Sequence, residues 1–283
     1  MNLLVTGSSG FVGSYAIPVF KNLYDNVTTL SLRNRSVDDV DITGIDTIVH
    51  MAGLAHQMTK VDPSLYYDIN QTLTVNFAAK AKQQGVKHFI YLSTIKVYGD
   101  HSMDVVSEAT LCNPTDDYGK SKWEAEKELN GLANENFKVS IIRPPLVYGK
   151  NVKGNLLSLS KLIKKIPVLP LGGIENKRSM VFVGNLVGMI NTLIDTPHNG
   201  TFLAGDDKSI STSFLVDQMI KHLGLNKKNT TMPGPIIKMI KLVKPAIYQR
   251  LFTSFIVDNK VSFKKLNFTP EFTVEEGIKQ MMT

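Results

Sequence analysis

Short apolar runs alternating with longer stretches of helical spacing set the rhythm of the first half of the chain. Leu3-Leu4-Val5, Val27 to Leu32, Thr47 to Val49, His88 to Leu92 and Val139 to Ile142 read as buried parallel strands, because continuous apolar runs of this length suit a sheet covered on both faces. Between them, Phe11 to Leu23, Ile69 to Gln84 and Asp117 to Leu132 read as helices. The alternation predicts an α/β fold built on a doubly wound parallel sheet. After Gly149 the alternation stops, and segments rich in Pro, Gly and Lys connect short apolar runs.

Two motifs put chemistry on this scaffold. Leu3-Leu4-Val5 leads into Thr6-Gly7-Ser8-Ser9-Gly10-Phe11-Val12-Gly13, a strand–turn–helix junction suited to a pyrophosphate. Gly7 permits backbone angles closed to other residues, Gly10 allows close approach of the phosphates, and Gly13 lets the helix pack on its strand. The helix start adds unpaired N–H groups and a partial positive charge. The spacing is G-x-x-G-x-x-G rather than G-x-G-x-x-G, and a glycine-rich turn with no ligand is the alternative. The second motif, Tyr118-Gly119-Lys120-Ser121-Lys122, sets a phenol and an ammonium on one helix face. Lys122 is expected to stabilise the phenolate and draw the tyrosine pKa down from about 10, so that Tyr118 can exchange a proton with a substrate. Taken alone, this spacing more often describes a solvated helix face.

With these motifs in place the chain resembles the extended short-chain dehydrogenase/reductase family, the NAD(P)-dependent sugar-nucleotide epimerases, dehydratases and reductases. The resemblance covers nearly the whole length. It runs through Thr6 to Gly13, His50-Met51-Ala52-Gly53, Asn70, Tyr91 to Gly99, the Tyr118/Lys122 pair, Arg143 to Gly149 and Arg178 to Val183. It implies a Rossmann-type cofactor domain over residues 1–150, rejoined by about 181–204. A smaller C-terminal α/β domain over 151–283 would bind a sugar nucleotide. Few residues separate Arg33 from Thr47, so a helix that the family often has there is expected to be missing.

The same resemblance assigns roles. Gly7, Gly10, Phe11, Val12 and Gly13 hold the phosphates, Asp41 and Ile42 flank the adenine, Ala52 joins the cofactor contacts, and the nicotinamide rests near Pro144 and Pro145. Thr94, Tyr118 and Lys122 are the catalytic set. Thr94 hydrogen-bonds the reacting sugar oxygen, Tyr118 exchanges its proton, and Lys122 also bonds the nicotinamide ribose. Asn155 and Arg178 match diphosphate contacts, and Leu169 and Leu171 match the base-binding strand. The family asparagine after Arg143 is replaced by Pro144-Pro145-Leu146. Arg250 is a further phosphate candidate, and His56 and Lys96 could touch the sugar; ordinary surface or loop roles are the alternative for each.

The second strand ends Ser31-Leu32-Arg33-Asn34-Arg35 with no carboxylate. Guanidinium forks suit a 2′-phosphate, which favours NADP(H), with NAD(H) the alternative if Asp38 or Asp39 supplies the acidic contact. In the family's 4,6-dehydratases an Asp and a Glu follow the position of Thr94. Here Ile95 and Lys96 stand there, and an isoleucine transfers no proton. Reduction or epimerisation at C4 remains. The arginines and the likeness of Thr94-Ile95-Lys96-Val97 to bacterial reductases favour NADPH-dependent reduction of a nucleotide-linked 4-keto-6-deoxy (N-acetyl)hexose for surface polysaccharide. A UDP-sugar 4-epimerase with tightly bound NAD is the first alternative. An inactive NADP-binding regulator is the second, and the intact Thr94, Tyr118 and Lys122 argue against it.

Composition refines this picture. With 283 residues, 43% hydrophobic and 20% charged, the chain has the make-up of a globular enzyme. One cysteine, Cys112, allows no internal disulfide and fits a reducing cytoplasm. The first apolar run meets Gly7 too soon for a signal peptide, and no run is long enough to span a bilayer. A formal charge of +7 favours acidic partners such as a UDP- or dTDP-linked sugar. No nucleic-acid module is present, and no metal site is expected. Pro235 to Tyr248, with lysines at 238, 241 and 244, reads first as a lid or surface helix of the substrate domain and second as a helix resting on an anionic membrane. Ile69 to Gln84 and Asp117 to Leu132 resemble the family's dimer helices, which implies a homodimer. Leu73, Val75, Phe77 and Ala78 would supply its apolar face, with Trp123 in that interface or in the monomer core.

Overall fold

In the computed structural model, residues 1–55, 62–99 and 105–283 are described; His56 lies outside them. The chain runs β1 (Asn2–Thr6), α1 (Phe11–Leu23), β2 (Asn26–Leu30), β3 (Thr47–His50), α2 (Pro63–Tyr66), a π-helical turn (Tyr67–Thr72), α3 (Leu73–Gln83), β4 (His88–Leu92), a 3-10 turn (Ile95–Tyr98), β5 (Val105–Val106), α4 (Asp117–Leu132) and β6 (Lys138–Arg143). It continues with β7 (Leu146–Tyr148), α5 (Asn155–Lys165), β8 (Val168–Gly172), β9 (Met180–Phe182), α6 (Val183–Asp195), β10 (Gly200–Leu203), α7 (Thr212–His222), β11 (Lys228–Thr231), α8 (Gly234–Val243), α9 (Pro245–Phe252), β12 (Ile256–Val257), α10 (Lys260–Leu266) and α11 (Val274–Met282).

Six strands form one all-parallel sheet in the order β10-β6-β4-β3-β1-β2. Strand residues alternate between faces, and two cores follow from that parity. Leu3, Val5, Val49, Ile90 and Ile142 join Ala16 and Phe20 of α1 and Leu186, Val187 and Ile190 of α6 on one side. Leu4, Ile48, Phe89, Tyr91, Val139 and Ile141 meet Phe77 and Ala78 of α3 and Ala125 and Leu129 of α4 on the other. The chain leaves β1 for the edge through β2 and then returns to the opposite side of β1 through β3. The strand order therefore reverses between β1 and β3, where ligands bind in sheets of this kind.

The second strand differs from its sequence reading. It ends at Leu30, and its residues are exposed or half-buried rather than buried. No helix or strand separates β2 from β3, and β2 is the sheet edge, with no strand beyond it among the described residues. Leu32, Val40 and Ile42 of this short connection drop into the core instead. The long helix expected over 69–84 is instead α2, the π-turn and α3 in sequence.

Beyond Gly149 the strict alternation stops, as the sequence suggested: β8 and β9, α8 and α9, and α10 and α11 follow one another directly, and the strands outside the main sheet pair in twos. β7 pairs with β9, β8 with β11 and β5 with β12, all in parallel. Meanwhile α6 packs on α1 and β10 extends the main sheet beside β6. Trp123 packs against the monomer's own cluster of Ile95, Val97 and Tyr98. Phe77 and Ala78 are fully buried, leaving Leu73 and Val75 half-buried on the face expected to form a dimer.

Candidate active site

The switch point is walled by backbone. Gly7 has φ +73, and a Cβ there would come within 2.5 Å of Ala52 N and 2.6 Å of the Met51 carbonyl carbon. Only glycine lets the turn after β1 touch the turn after β3 this closely. A Cβ on Gly13 would lie 2.2 Å from the Gly7 carbonyl oxygen, so α1 starts hard against the turn. Gly10 caps α1 without a side-chain bond, and the first turn of α1 holds no acidic residue. Its N–H groups and the helix dipole are open to an anion. Phe11 and Val12 are half-buried beside them. This cradle fits the pyrophosphate of a nicotinamide dinucleotide.

The chemical groups converge from β3, the π-turn, β4 and α4. Thr94, directly after β4, caps the 3-10 turn by accepting from Lys96 N at 3.3 Å. Tyr118 stands in the first turn of α4, and its phenol is hydrogen-bonded to the Thr94 side chain. Asp116 caps α4 by accepting from Gly119 N at 2.7 Å and is ion-paired with Lys96. Lys96 is thus engaged in fixing the start of α4. Lys122, one turn on, is buried; its Nζ donates to the Leu92 carbonyl at 2.9 Å and lies 4.5 Å from the Tyr91 ring centre. A Cβ on Gly53 would come within 3.3 Å of that Nζ and 2.9 Å of Asn70 Oδ1. Asn70 sits in the π-turn, a feature common at functional sites. It accepts from Leu54 N at 2.7 Å and donates to Ser121 Oγ at 3.2 Å.

Burial governs the electrostatics. It pushes Tyr118 up to about 12, with the Thr94 hydrogen bond working the other way. The expected lowering of the tyrosine pKa is therefore not found. Desolvation dominates, and the Lys122 amino group turns to Leu92 and Tyr91 instead. Lys122 itself is lowered to about 7 by burial, partly offset by the charge of Glu126. His50 is held down to about 3 by burial and by Lys122, and its ring nitrogens bond the hydroxyls of Thr6 and Thr74 at 2.9 and 3.1 Å.

Behind the site lies a buried network that the sequence reading missed. Glu126 is fully buried and receives Arg143 Nε at 3.1 Å on each carboxylate oxygen. Arg143 Nη2 and the Ser93 hydroxyl also bond Glu126, and Arg143 Nη1 reaches Tyr98 OH at 2.6 Å. Burial alone would lower the Arg143 pKa, but the bonds and charge of Glu126 leave it raised. The signal was legible: Tyr118, Lys122 and Glu126 recur every four residues, one stripe of a helix.

The remaining sequence assignments fare differently. Pro144 and Pro145 are buried directly after β6, and Pro144 O accepts from Ile95 N at 3.0 Å. Ala52 is half-buried at the switch point. Asp41 is exposed and closes its own turn by accepting from Thr43 N at 3.0 Å. The Ile42 side chain lies in the core, so only its main chain remains for an adenine. Arg33 and Arg35 are both exposed. Arg35, but not Arg33, borders a groove of about 610 Å³ beside α3. The side chains of Leu169 and Leu171 are buried in the core, because β8 turns them inward and presents Val168 and Pro170 outward, so only their main chain remains for a base. Arg178 Nη1 donates to the carbonyls of Gln249 and Thr253, each at 3.1 Å, at the end of α9. Arg250 of α9 donates to Asn155 Oδ1 at 3.2 Å, so three diphosphate candidates meet around one helix.

A model of the NAD dependent epimerase/dehydratase family matches residues 3–205. The chain is 37% identical over 99% of its length to a UDP-glucose 4-epimerase of Vibrio cholerae, covering 94% of that protein. It is 35% identical over 83% of its length to an N-acetyl-alpha-D-glucosaminyl-diphospho-ditrans,octacis-undecaprenol 4-epimerase of Escherichia coli O157:H7, covering 75% of that protein. Its fold is similar to the crystal structure of UDP-glucose 4-epimerase with UDP-glucose from Thermotoga maritima. The TM-score is 0.78 at 22% identity, covering 100% of this chain and 97% of that one. Among the described residues no helix is long and apolar enough to cross a membrane, and no cluster of side chains suits a metal ion.

Proposed function

Since the chain belongs to the NAD dependent epimerase/dehydratase family, we propose that it inverts C4 of a hexose carried on a diphosphate. The observation that carries this is the hydrogen-bonded Thr94–Tyr118 pair, with Lys122 one turn behind, at the mouth of a pyrophosphate cradle. Ile95 and Lys96 stand where elimination of water needs an acid and a base, which leaves oxidation and reduction at a single carbon. Within that choice, the names of both curated relatives favour the 4-epimerase over the reductase preferred on sequence grounds.

A bound nicotinamide dinucleotide supplies the hydride exchange at C4. Thr94 and Tyr118 hold the sugar O4 between their hydroxyls. Tyr118 takes the O4 proton as C4 becomes a ketone, and returns it to O4 after the ring has turned over. With its pKa near 12, Tyr118 needs positive charge close by to act as that base, and Lys122 is the chain's own source. Asn155, Arg178 and Arg250 hold the diphosphate. UDP is the carrier named for one relative and a polyprenol diphosphate for the other. The sugar turns over while its diphosphate stays bound, and both α3 and α4 remain the proposed faces of a homodimer.

The test is incubation of the purified protein with UDP-glucose or UDP-N-acetylglucosamine and no added NADPH, read by proton NMR. The expected result is a mixture of both C4 epimers. A second reading, NADPH-dependent 4-keto reduction in the cytoplasm, is favoured by Arg33 and Arg35 and the lack of a carboxylate from Ser31 to Ser36. It predicts no interconversion and stoichiometric NADPH oxidation on a 4-keto-6-deoxy sugar nucleotide.

A further inference from the structure

From Gln218 to Val257 the chain has no carboxylate and seven basic residues: Lys221, Lys227, Lys228, Lys238, Lys241, Lys244 and Arg250. That one segment carries as much positive charge as the whole protein's formal +7. Its centre is the hairpin α8–α9, in which no residue is buried. Ile237, Ile240, Leu251 and Phe252 pack against the main core, and Arg178 clamps the end of α9 through two carbonyls. The hairpin is therefore anchored along one side.

Its other side is apolar and uncovered. Of fifteen exposed large hydrophobic side chains among the described residues, five fall within residues 236–247: Ile236, Met239, Leu242, Val243 and Ile247. Leu242 is 85% exposed and Val243 66%. Scattered exposed apolar side chains are ordinary, but a contiguous patch marks an interaction surface. Lys238 and Lys241 flank the patch on α8, and Lys244 follows at the bend between the helices.

We propose that α8–α9 docks on the surface of an anionic lipid bilayer, with Met239, Leu242 and Val243 in the headgroup–acyl boundary and the lysines against lipid phosphates. The combination of an apolar face and a basic flank is that of an interfacial helix. At ten residues, α8 spans about 15 Å, half the hydrocarbon thickness of about 30 Å, so it lies on the bilayer. A second copy of the chain is a poor occupant. A two-fold contact sets each patch against itself, and the lysines would face their own copies with no carboxylate in the segment to offset them. The inference goes beyond the catalytic reading and holds whichever reaction the site performs.

The full chain is tested by flotation with vesicles of phosphatidylglycerol and phosphatidylethanolamine, and with vesicles of phosphatidylcholine alone. The protein is expected to float with the anionic vesicles at low salt, to be released as salt rises, and to stay behind with phosphatidylcholine. Lys238→Glu/Lys241→Glu/Lys244→Glu should weaken partitioning by roughly a hundredfold or more. Met239→Ser/Leu242→Ser should also weaken it, with an unfolding temperature unchanged in both variants because these side chains are exposed. Three results would overturn the proposal: equal partitioning into both vesicle types, flotation unaffected by either variant, or a dimer in light scattering that the Met239/Leu242 variant alone converts to monomer.

Discussion

Helices α4 and α8 invert the usual relation between sequence and burial. α4 is polar by composition, yet it buries Ser121, Lys122 and Glu126 along with Ala125 and Leu129. α8 is apolar by composition, yet none of its residues is fully buried and only Ile237 and Ile240 pack on the core. In α4 the buried polar groups are all partnered: Lys122 by the Leu92 carbonyl, Ser121 by Asn70 and Tyr118, Glu126 by Arg143 and Ser93. Burying such groups is tolerable only with partners, and the partners hold Ser121, Lys122 and Glu126 in place. In α8 the uncovered apolar side chains have no such reason inside the chain, which points to something outside it. On the readings proposed above, departures from the hydrophobic pattern mark function in both helices, one for chemistry and one for docking.

That contrast can be broken first at Glu126. Glu126→Ala strands a buried guanidinium, and breaking such a pair costs about 3–5 kcal/mol. Urea unfolding should show that loss, and a change below about 1 kcal/mol would mean that the network is solvated. Next comes Tyr118→Phe, which keeps the fold and cofactor binding and lowers turnover on the order of a hundredfold or more. An unchanged rate would reduce Tyr118 to packing.

A smaller effect follows from His50, on the buried side of the same site. Its ring takes a proton near 6.5 when unfolded and near 3 in the folded protein. Between those values the unfolded chain binds more protons, so stability rises with pH through this window and is lost as pH falls below 6.5. The slope is about 1.4 kcal/mol per pH unit. His50→Gln should flatten the acid limb of a stability–pH curve by that amount, and an equally steep limb in the variant would locate the dependence elsewhere. Smallest is Leu242→Gln on α8, expected to change unfolding free energy by no more than about 0.5 kcal/mol. A loss of several kcal/mol would show that α8 is covered within the chain after all.

Much of the frame was legible in the sequence. Phe11–Leu23, Asp117–Leu132 and His88–Leu92 fall where their spacing puts them, because each is a long periodic or continuous apolar signal with clear ends. The glycine turn was legible too, since Gly7 and Gly13 are fixed by backbone contacts as close as their spacing implies. What failed did so for tertiary reasons. β2 looks like a buried strand, but its exposure depends on a missing neighbour rather than on its own residues. The Tyr118 shift depends on desolvation, and neighbours three or four residues away do not reveal it. The Glu126–Arg143 pair joins α4 to β6 across 17 residues of sequence, and only the Tyr118–Lys122–Glu126 stripe hinted at one half of it.

The central claim, oxidation and re-reduction at one carbon by the Thr94–Tyr118–Lys122 site, is tested most directly with UDP-glucose deuterated at C4. The purified protein, given no added cofactor in ordinary water, should yield both C4 epimers with the deuterium retained at C4 in each by NMR. Loss of the label to solvent, or recovery of the starting sugar alone, would contradict it.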